Sequence, residues 1–412
     1  MSKLKELLET HCPDGVEYNQ IGEICHILDA QRKPISKSQR VKGQFPYYGA
    51  NGIQDYVADY IFNGTFLLVG EDGSVINKDN TPVLNWAVGK IWVNNHAHVL
   101  TAKGSNSLRY VYYALQIQDV SKIVRGTPPK INQENLKNIK IPLPPPPVQE
   151  EIVKILDRFA EYAAELQAEL QARKEQYEYY RNLLLTFNPS ACGCGTDGEQ
   201  KMDDVTTWGG HSYKITWKAM GEIGTFIRGK RFVRTDIVDN GVPCIHYGDM
   251  YTHYGLYADK TPGFINDDVA KKMRYANKND VVIVAAGGNK DDLGNALAWL
   301  GDEPAAVHDA CFIFKSEMYP NFVSHVCRSL KYHKQVRMYA NEAKICSVSG
   351  TDLAKVIIPV PEYELQVKIA SILDRFETLV NDLTTGLPAE IAAVKEQYEY
   401  YRNKLLTFKQ IA

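Results

Sequence analysis

The sequence predicts an α+β protein with two mixed α/β domains and two long coiled-coil helices, in which one unit occurs twice. The first observation is a fourteen-residue segment, Lys174-Glu-Gln-Tyr-Glu-Tyr-Tyr-Arg-Asn-Leu-Leu-Leu-Thr-Phe187, that recurs with one difference as Lys395-Glu-Gln-Tyr-Glu-Tyr-Tyr-Arg-Asn-Lys-Leu-Leu-Thr-Phe408. The second is a motif, Ile155-Leu-Asp-Arg-Phe159, that recurs 217 residues later as Ile372-Leu-Asp-Arg-Phe376. The third is that the two inserts between these motifs show no recognisable similarity to each other. A duplicated frame with two unlike inserts indicates a protein that reads two different targets.

Each unit is predicted to end in a long helix. Apolar residues recur every three or four positions through 148–187, apart from one step of seven across Arg173, and through 365–408, which is the seam of a coiled coil. At about 1.5 Å per residue, each helix would extend about 60 Å. Between the Ile-Leu-Asp-Arg-Phe motif and the fourteen-residue repeat, the second helix carries eighteen residues where the first carries fourteen. Because Gly386 and Pro388 lie in this longer copy, we predict a kink there.

These patterns divide the chain into five predicted segments, which are an N-terminal domain at 1–147, a first helix at 148–187, a linker at 188–211, a second domain at 212–364 and a second helix at 365–408. The variable inserts, roughly 25–131 and 224–348, are expected to be mixed α/β. Their predicted elements include strands at 65–69 and 281–284 and helices near 107–118 and 321–340. The linker is rich in Gly, Asp and Thr, which predicts a flexible tether.

Composition narrows the class of protein. The 412 residues carry a formal net charge of −2, so no overall field points to a polyanionic partner, although local basic segments can still bind nucleic acid. The N-terminus is charged and amphipathic rather than a signal peptide, and the longest apolar run, Val281-Val-Ile-Val-Ala-Ala286, is too short to span a bilayer. We therefore expect a cytoplasmic protein without membrane association. Its eight scattered cysteines are expected to be reduced.

Both inserts open with a basic segment that is followed by polar and aromatic residues. Lys and Arg neutralise phosphates, whereas Asn, Arg and Tyr reach base edges, so this combination predicts contact with DNA. The alternative is a solvated basic face. The candidate DNA-binding residues are Arg32, Lys33, Lys37, Arg40, Lys42, Tyr47, Tyr48 and Asn51 in the first insert, and Arg228, Lys230, Arg231, Arg234, His246, Tyr247 and Tyr251 in the second.

Catalytic and metal-binding patterns are missing from the sequence. It has no complete phosphate loop, no dinucleotide fingerprint and no Asn-Pro-Pro-Tyr-type loop, at least one of which a methyltransferase or helicase acting alone should show. His96-Ala-His98 lacks further ligands at metal-binding spacing and is interpreted as loop histidines. Glu342-Ala-Lys344 lacks an identifiable acidic partner. We therefore expect no catalytic residue and no metal site in this chain.

The tyrosines of the fourteen-residue repeat have two interpretations. They can pack within the coiled coil, or they can form a surface for a protein partner. Tyr179 and Tyr400 fall off the apolar seam, which favours the second interpretation for them. The candidate partner-binding residues are Tyr177, Tyr179, Tyr180, Tyr398, Tyr400 and Tyr401.

The whole chain resembles the specificity subunit of a type I restriction-modification system. The most specific motifs are Ile141-Pro-Leu-Pro-Pro-Pro-Pro-Val-Gln149 with its second copy, and Tyr47-Tyr-Gly-Ala-Asn-Gly52 leading to Gly70-Glu-Asp-Gly73. The resemblance implies two target recognition domains, related by a pseudo-twofold axis, that each read one half of a split site in double-stranded DNA. It also implies an antiparallel coiled coil that separates these domains and docks two modification subunits.

The resemblance further implies that the chain itself holds no cofactor. The modification subunits would bring S-adenosylmethionine to methylate adenine, and motor-nuclease subunits would use ATP and Mg²⁺. Two alternatives stay open at this point. One is a coiled-coil scaffold or assembly protein without sequence-specific DNA binding, and the other is a single-chain enzyme, which the missing motifs disfavour.

Overall fold

The structure is a computed structural model that describes residues 2–187, 203–208, 211–342, 345–382 and 384–411. Its α-helices are α1 Ser2–His11, α2 Ile21–Ile24, α3 Leu108–Leu115, α4 Gln133–Asn138, α5 Pro146–Thr186, α6 Met220–Ile223, α7 Asp249–Thr252, α8 Asp267–Ala270, α9 Pro320–Val326, α10 Leu330–Tyr339, α11 Gly350–Leu353, α12 Tyr363–Asn381 and α13 Leu387–Leu406. In this part of the chain, no helix has the length and hydropathy needed to cross a lipid bilayer.

The strands are short and numerous, as the mixed α/β prediction requires. They are β1 Tyr18–Gln20, β2 Cys25–Ile27, β3 Lys42–Gly49, β4 Gly52–Val57, β5 Phe62–Gly70, β6 Leu84–Val93, β7 Ala97–Ala102, β8 Lys140–Pro142, β9 Asp203–Trp208, β10 His211–Ala219, β11 Gly224–Arg228, β12 Ile237–Val238, β13 Val242–Ile245, β14 Tyr257–Ala258, β15 Gly263–Ile265, β16 Tyr275–Ala276, β17 Val281–Val284, β18 Ala286–Gly287, β19 Ala296–Trp299, β20 Ala305–Val307, β21 Cys311–Ser316, β22 Cys346–Ser347 and β23 Ile357–Pro361.

The chain divides into two compact units that are not consecutive in sequence. Unit 1 comprises Met1–Leu166 together with Ile391–Ala412, and unit 2 comprises Gln167–Glu390. Each unit therefore contains one insert, the beginning of the long helix that follows it, and the fourteen-residue repeat of the other copy. The unit boundaries fall within α5 and α13 rather than at the predicted linker.

Unit 1 is built on a six-stranded sheet in the order β2-β7-β5-β6-β3-β4. The centre of this sheet is apolar on both faces, since Leu67 and Leu68 point to opposite sides of β5 and both are fully buried. One of these faces packs with α3 and with the first turns of α5 in a single core. The predicted strand at 65–69 and the predicted helix near 107–118 are confirmed as parts of β5 and α3.

Unit 2 contains two five-stranded sheets, in the orders β11-β21-β17-β19-β14 and β12-β15-β13-β20-β16. The predicted strand at 281–284 is confirmed as β17, which is buried along its whole length. The predicted helix at 321–340 is two helices, because Ser329 caps the start of α10 by accepting a hydrogen bond from the Tyr332 N–H. Part of the predicted linker is also ordered structure, since β9 pairs with β10, while 188–202, 209 and 210 lie outside the described residues.

The repeated frame has the same local geometry in both units. In unit 1, β1 pairs with β8, and in unit 2, β10 pairs with β23, both antiparallel. The long helices are antiparallel within unit 1. Phe159 of α5 stacks on Tyr401 of α13, with ring centroids 5.5 Å apart. The start of α5 lies near the end of α13, because Pro142, just before α5, pairs with Tyr18, and the Tyr18 hydroxyl donates to the Phe408 carbonyl.

The second long helix is broken where a kink was predicted. The α12 helix ends at Asn381 and α13 begins at Leu387, whereas α5 runs without interruption from Pro146 to Thr186. The Asp382 carboxylate accepts hydrogen bonds from the backbone and hydroxyl groups of Thr384 and Thr385, which competes with helix formation. Pro388 then supplies no N–H at the second position of α13. The hydrogen bonds of Asp382 and the missing N–H of Pro388 therefore separate α12 from α13, where the sequence had predicted only a kink.

Candidate nucleic-acid interface

Three loops of unit 2 converge, namely the basic segment that follows β11, the loop after β13 and the loop after β20. The Gly229 N–H donates to the Cys311 carbonyl (3.0 Å) and the Lys230 N–H to the Val307 carbonyl (2.9 Å). The His308 N–H donates to the Ile245 carbonyl (3.1 Å), which joins the ends of β13 and β20. A Cβ at Gly229 would lie 2.2 Å from the His308 carbonyl oxygen, so only glycine permits this close approach.

The side chains of Arg228, Lys230, Arg231 and Arg234 all project to solvent from this junction. Among the described residues, none of the four is in an ion pair with a carboxylate. The Arg228 Nε donates to the Asp309 carbonyl (3.0 Å), which orients that guanidinium on the loop surface. Four cations on one seven-residue loop without internal counter-ions are suited to binding phosphate groups.

An aromatic cluster supports this basic loop from behind, and we call Phe232, His246, Tyr247 and His308 the imidazole cluster. The two imidazole centroids lie 4.7 Å apart, and the Tyr247 ring lies 4.7 Å from His246 and 5.1 Å from His308. Phe232 packs edge-on against both imidazoles. Tyr247 is the exposed member, with 38% of its surface accessible, so the cluster presents one tyrosine on a rigid base.

Both histidines of the imidazole cluster have lowered pKa values, which favours the neutral imidazole. Burial and the neighbouring Arg234 lower the pKa of His246, and burial, His246 and Arg231 lower the pKa of His308. The Gly248 N–H donates to Nδ1 of His246 (3.2 Å), and the Ala310 N–H donates to Nδ1 of His308 (3.1 Å). Nδ1 of His246 therefore accepts and its Nε2 carries the proton, whereas Nδ1 of His308 also lies 3.2 Å from the Asp309 carboxylate. Neutral imidazoles add no positive charge beneath the four cations.

The remaining predicted residue of unit 2, Tyr251, is also exposed on α7, which follows directly from the Tyr247 loop. Its hydroxyl lies beside Gly287, where an added Cβ would come within 2.9 Å of that oxygen. His246 is buried, so it supports the site rather than facing solvent. All seven residues predicted in this insert therefore lie on the three converging loops or on the helix that continues one of them.

The basic segment of unit 1 has a different organisation, because Arg32 is turned inward. Its side chain is only 11% exposed and pairs with the Asp29 and Glu71 carboxylates. It also donates to the Ala97 carbonyl (2.8 Å). Arg32 was predicted to contact DNA, but these internal partners satisfy its guanidinium, and its role in this structure is to tie β7 to the loops around it.

Asp29, Glu71 and His98 place ligand-type atoms within 4.8 Å of one another, which is compact enough to raise the question of a cation. The Arg32 guanidinium already occupies the space between the two carboxylates. Burial opposes ionisation of Asp29, yet the hydrogen bond and charge of His98 and the charge of Arg32 keep the pKa of Asp29 below its usual value. The group is a buried salt-bridge network, and His98 lies on a buried strand rather than in the predicted loop.

Two of the predicted tyrosines of unit 1 are also internal. Tyr47 is 1% exposed, its hydroxyl accepts the Ile35 N–H (3.1 Å), and the Arg40 guanidinium lies 4.1 Å above its ring. Tyr48 is buried on the same strand, where burial raises the pKa of its hydroxyl. Both residues were predicted to contact DNA, but each is buried in an apolar cluster, Tyr47 with Val57 and Trp92, and Tyr48 with Phe62 and Leu68.

Lys33, Lys37, Lys42 and Asn51 remain exposed in unit 1. Asn51 lies in the turn between β3 and β4. Arg40 is half-buried and pairs with Asp55 at 3.3 Å. The candidate surface in unit 1 is therefore smaller than predicted and rests on the three lysines and Asn51.

The six repeat tyrosines occupy three distinct environments. Tyr177 and Tyr398 point inward, where each hydroxyl contacts a side chain of the adjacent mixed α/β domain. Tyr180 and Tyr401 stack on Phe376 and Phe159. Tyr179 and Tyr400 are 63% and 58% exposed, so the prediction of off-seam positions for these two residues is confirmed.

Sequence reasoning missed His308, Asp29 and Glu71 as members of these sites. His308 lies 62 residues after His246, and no spacing pattern connects them. The only available signal was its position at the end of a short apolar segment, which matches the position of His246 after β13. Glu71 did lie within a quoted motif, but its pairing with Arg32 depends on the order of strands in the sheet.

The comparisons with known proteins agree with this organisation. The family model "Type I restriction modification DNA specificity domain" matches residues 13–175 and again 214–393. The chain is 32% identical, over 98% of both proteins, to a putative type I restriction enzyme specificity subunit from Haemophilus influenzae. It is also 32% identical to a type I restriction enzyme specificity subunit from Escherichia coli, over 73% of this chain and 71% of that protein. Among solved structures, the type I restriction-modification S subunit from M. genitalium matches with a TM-score of 0.59 and 16% identity, covering 96% of this chain and 97% of that one.

Two α/β domains on a duplicated helical frame, each matched by the same model, define the class of DNA specificity proteins. The chain belongs to the family of type I restriction-modification specificity subunits, and its function is to provide DNA sequence specificity. The alternative of a coiled-coil scaffold without DNA specificity is not favoured.

Proposed function

We propose that each mixed α/β domain reads one half of a split, asymmetric DNA site and that the chain catalyses nothing by itself. In this proposal, two copies of a modification subunit bind the helical frame and bring S-adenosylmethionine for adenine methylation. Motor-nuclease subunits join through the complex and use ATP and Mg²⁺. Relatives named as specificity subunits of type I restriction enzymes support this assignment.

The observation that carries the proposal is the identity of the two repeats at solvent-exposed positions. Lys174, Glu175, Glu178 and Tyr179 are exposed in unit 2, and their equivalents Lys395, Glu396, Glu399 and Tyr400 are exposed in unit 1. Core packing does not constrain exposed side chains, while the inserts in the same chain have diverged completely. Identical outer faces and different inserts are suited to two copies of one partner and two different DNA sequences.

Methylation mapping of the genome, with and without the gene for this chain, tests the proposal. A split adenine-methylated motif is expected in the intact strain and absent from the deletion strain. Persistence of every methylated motif in the deletion strain would contradict the proposal. Methyl transfer by the isolated chain with S-adenosylmethionine alone would contradict its non-catalytic part.

The exposed cations of unit 2 provide a prediction on affinity. Replacing Arg228, Lys230, Arg231 and Arg234 with alanine is expected to weaken DNA binding by the assembled complex. It should also reduce the slope of log K against log salt by about 0.9 per lost phosphate contact. A matched control replaces four exposed lysines outside the three loops, namely Lys260, Lys271, Lys272 and Lys334, and should keep the original slope. Equal slopes for both variants, measured by fluorescence anisotropy, would show that the basic loop makes no phosphate contacts in the complex.

The exposed repeat tyrosines provide a prediction on stoichiometry. Tyr179→Ala or Tyr400→Ala alone should leave a complex with one modification subunit, and the double variant should bind none, because each exposed face serves one copy. Native mass spectrometry measures these masses directly. Tyr363→Ala is the control, since Tyr363 is similarly exposed (56%) but lies outside the repeat. Two bound subunits on the double variant would exclude these faces from the interface.

A further inference from the structure

The duplicated helices hold the two divergent domains through the same pair of polar side chains. We call Gln149 with Asp157 in unit 1, and Gln366 with Asp374 in unit 2, the socket residues. In each unit the aspartate follows the glutamine by eight residues, which places both side chains on one face of the helix about two turns apart. Both glutamines are buried.

The socket glutamines bind the residue that immediately precedes a domain helix in both units. The Gln149 Oε1 accepts from the N–H of Ser107 (2.9 Å), and the Gln366 Oε1 accepts from the N–H of Tyr319 (2.8 Å). Ser107 and Tyr319 are the N-cap residues of α3 and α9. Each glutamine also donates through Nε2 to the carbonyl of a proline shortly before its own helix (2.8 Å in both units). The start of the domain helix is therefore fixed to the frame by the backbone, whatever the domain's sequence.

The socket aspartates bind the second and sixth residues of the same domain helices. In unit 1, Asp157 accepts from Arg109 Nε (2.8 Å) and from the Tyr113 hydroxyl. In unit 2, Asp374 accepts from Nδ2 of Asn321 (2.9 Å) and from Nε2 of His325 (2.7 Å). The donor residue types differ completely between the units, but their positions on the helix are the same. The two units therefore share the positions of the donors on the domain helix, although they do not share the residue types.

The length of each donor side chain also matches the separation between its domain helix and the long helix that carries the socket aspartate. Arg and Tyr are long side chains, whereas Asn and His are short, and the short donors occur in unit 2, where α9 packs directly against α12. A repeat tyrosine adds a further contact to each domain helix. The Tyr398 hydroxyl donates to Gln116 Oε1 (3.0 Å) at the end of α3, and the Tyr177 hydroxyl lies 3.4 Å from His325 Nδ1.

We propose that the socket residues are positioning residues that fix the orientation of each recognition domain on its helix. The frame supplies constant acceptors, and each domain supplies a helix with an N-cap N–H and two donors at its second and sixth positions. Domains of unrelated sequence can then be held in one orientation, provided that each retains its own helix with donors of matching length. This inference rests on the proposed function, because orientation matters only if the two domains must meet two half-sites at a set separation.

The test measures how sharply the assembled complex discriminates between DNA duplexes whose half-sites differ only in their gap. Asp157→Asn and Asp374→Asn keep the side-chain shape but replace one accepting oxygen with a donor that faces other donors. In each variant, the preference for the cognate gap over a gap one base pair longer or shorter should fall about tenfold. The bases required within each half-site should stay the same, since they are read inside the domains.

The control and the outcomes separate positioning from simple stability. Glu165→Gln removes an exposed carboxylate from the same helix and should leave gap discrimination unchanged. Tyr113→Phe, which leaves the Arg109 hydrogen bond to Asp157 in place, provides a milder variant in unit 1 if Asp157→Asn fails to fold. Wild-type discrimination in folded socket variants would overturn the inference. A wild-type complex that binds no split site would instead overturn the proposed function.

Discussion

Exchanging residues 25–131 for the equivalent segment of a relative with a different target should change one half of the methylated motif and leave the other half intact. The segment begins at β2 and ends before α4, so β1, α2, α4 and β8 stay with the frame. Each mismatched base pair costs about 1–3 kcal/mol, so a half-site read by a new domain replaces the old one essentially completely. Methylation mapping of a strain that expresses the chimera reports both halves at once.

The reciprocal exchange is the control for this prediction. Replacing 224–348 should change the opposite half of the motif, and the chimera with both replacements should recognise two new halves. If either single exchange altered both halves together, the domains would not be independent readers. The incoming segment must carry its own version of α3, because Arg109 and Tyr113 bind Asp157 of the frame.

Deleting residues 385–388 should shorten the gap between the two half-motifs while the half-motifs themselves stay unchanged. The deletion removes Gly386 and Pro388 and makes the second helix equal in length to the first between the repeated motifs. Four residues correspond to about one helical turn of 5.4 Å, and one base pair rises about 3.4 Å, so we expect a gap shorter by one or two base pairs. The shortened segment has the same length between the repeated motifs as the uninterrupted α5, so the apolar seam should be kept and the variant should fold.

The control for the deletion keeps the length of the chain and changes only its helical propensity. Pro388→Ala removes one of the two helix breakers without changing the chain length, and it should leave the gap as it is. Duplexes with gaps of varied length, bound by the complete complex, measure the preferred gap for each variant. A deletion variant that is fully active on the original gap would contradict the idea that helix length sets the separation.

Much of the frame was predictable because its pattern is local. The helix at 148–187 was predicted from a spacing of three or four residues, and the structure has α5 at Pro146–Thr186. The break after Asn381 was located correctly as a disturbance at Gly386 and Pro388. Its extent depended on Asp382, whose carboxylate competes for hydrogen bonds that no periodicity reveals.

The candidate interface was predictable in composition but not in exposure. All four Arg and Lys residues predicted in 228–234 are exposed, whereas Arg32 and Tyr47 in the first insert are buried. A basic residue can neutralise a phosphate or an internal carboxylate with the same chemistry. Which of the two occurs depends on whether the fold brings an acid such as Glu71 within reach, and Glu71 lies 39 residues away in sequence.

By itself, the sequence determined the duplication, the two long helices and membership of the specificity-subunit family, because repeats and helical periodicity are properties of neighbouring residues. Only the tertiary structure decided which repeat packs in which unit. Phe159 stacks on Tyr401, which belongs to the other copy of the repeat. Each unit therefore contains a helix segment from the other half of the duplicated sequence. Contacts of this kind form because folding buries apolar surface wherever it fits, and sequence distance does not limit that fit.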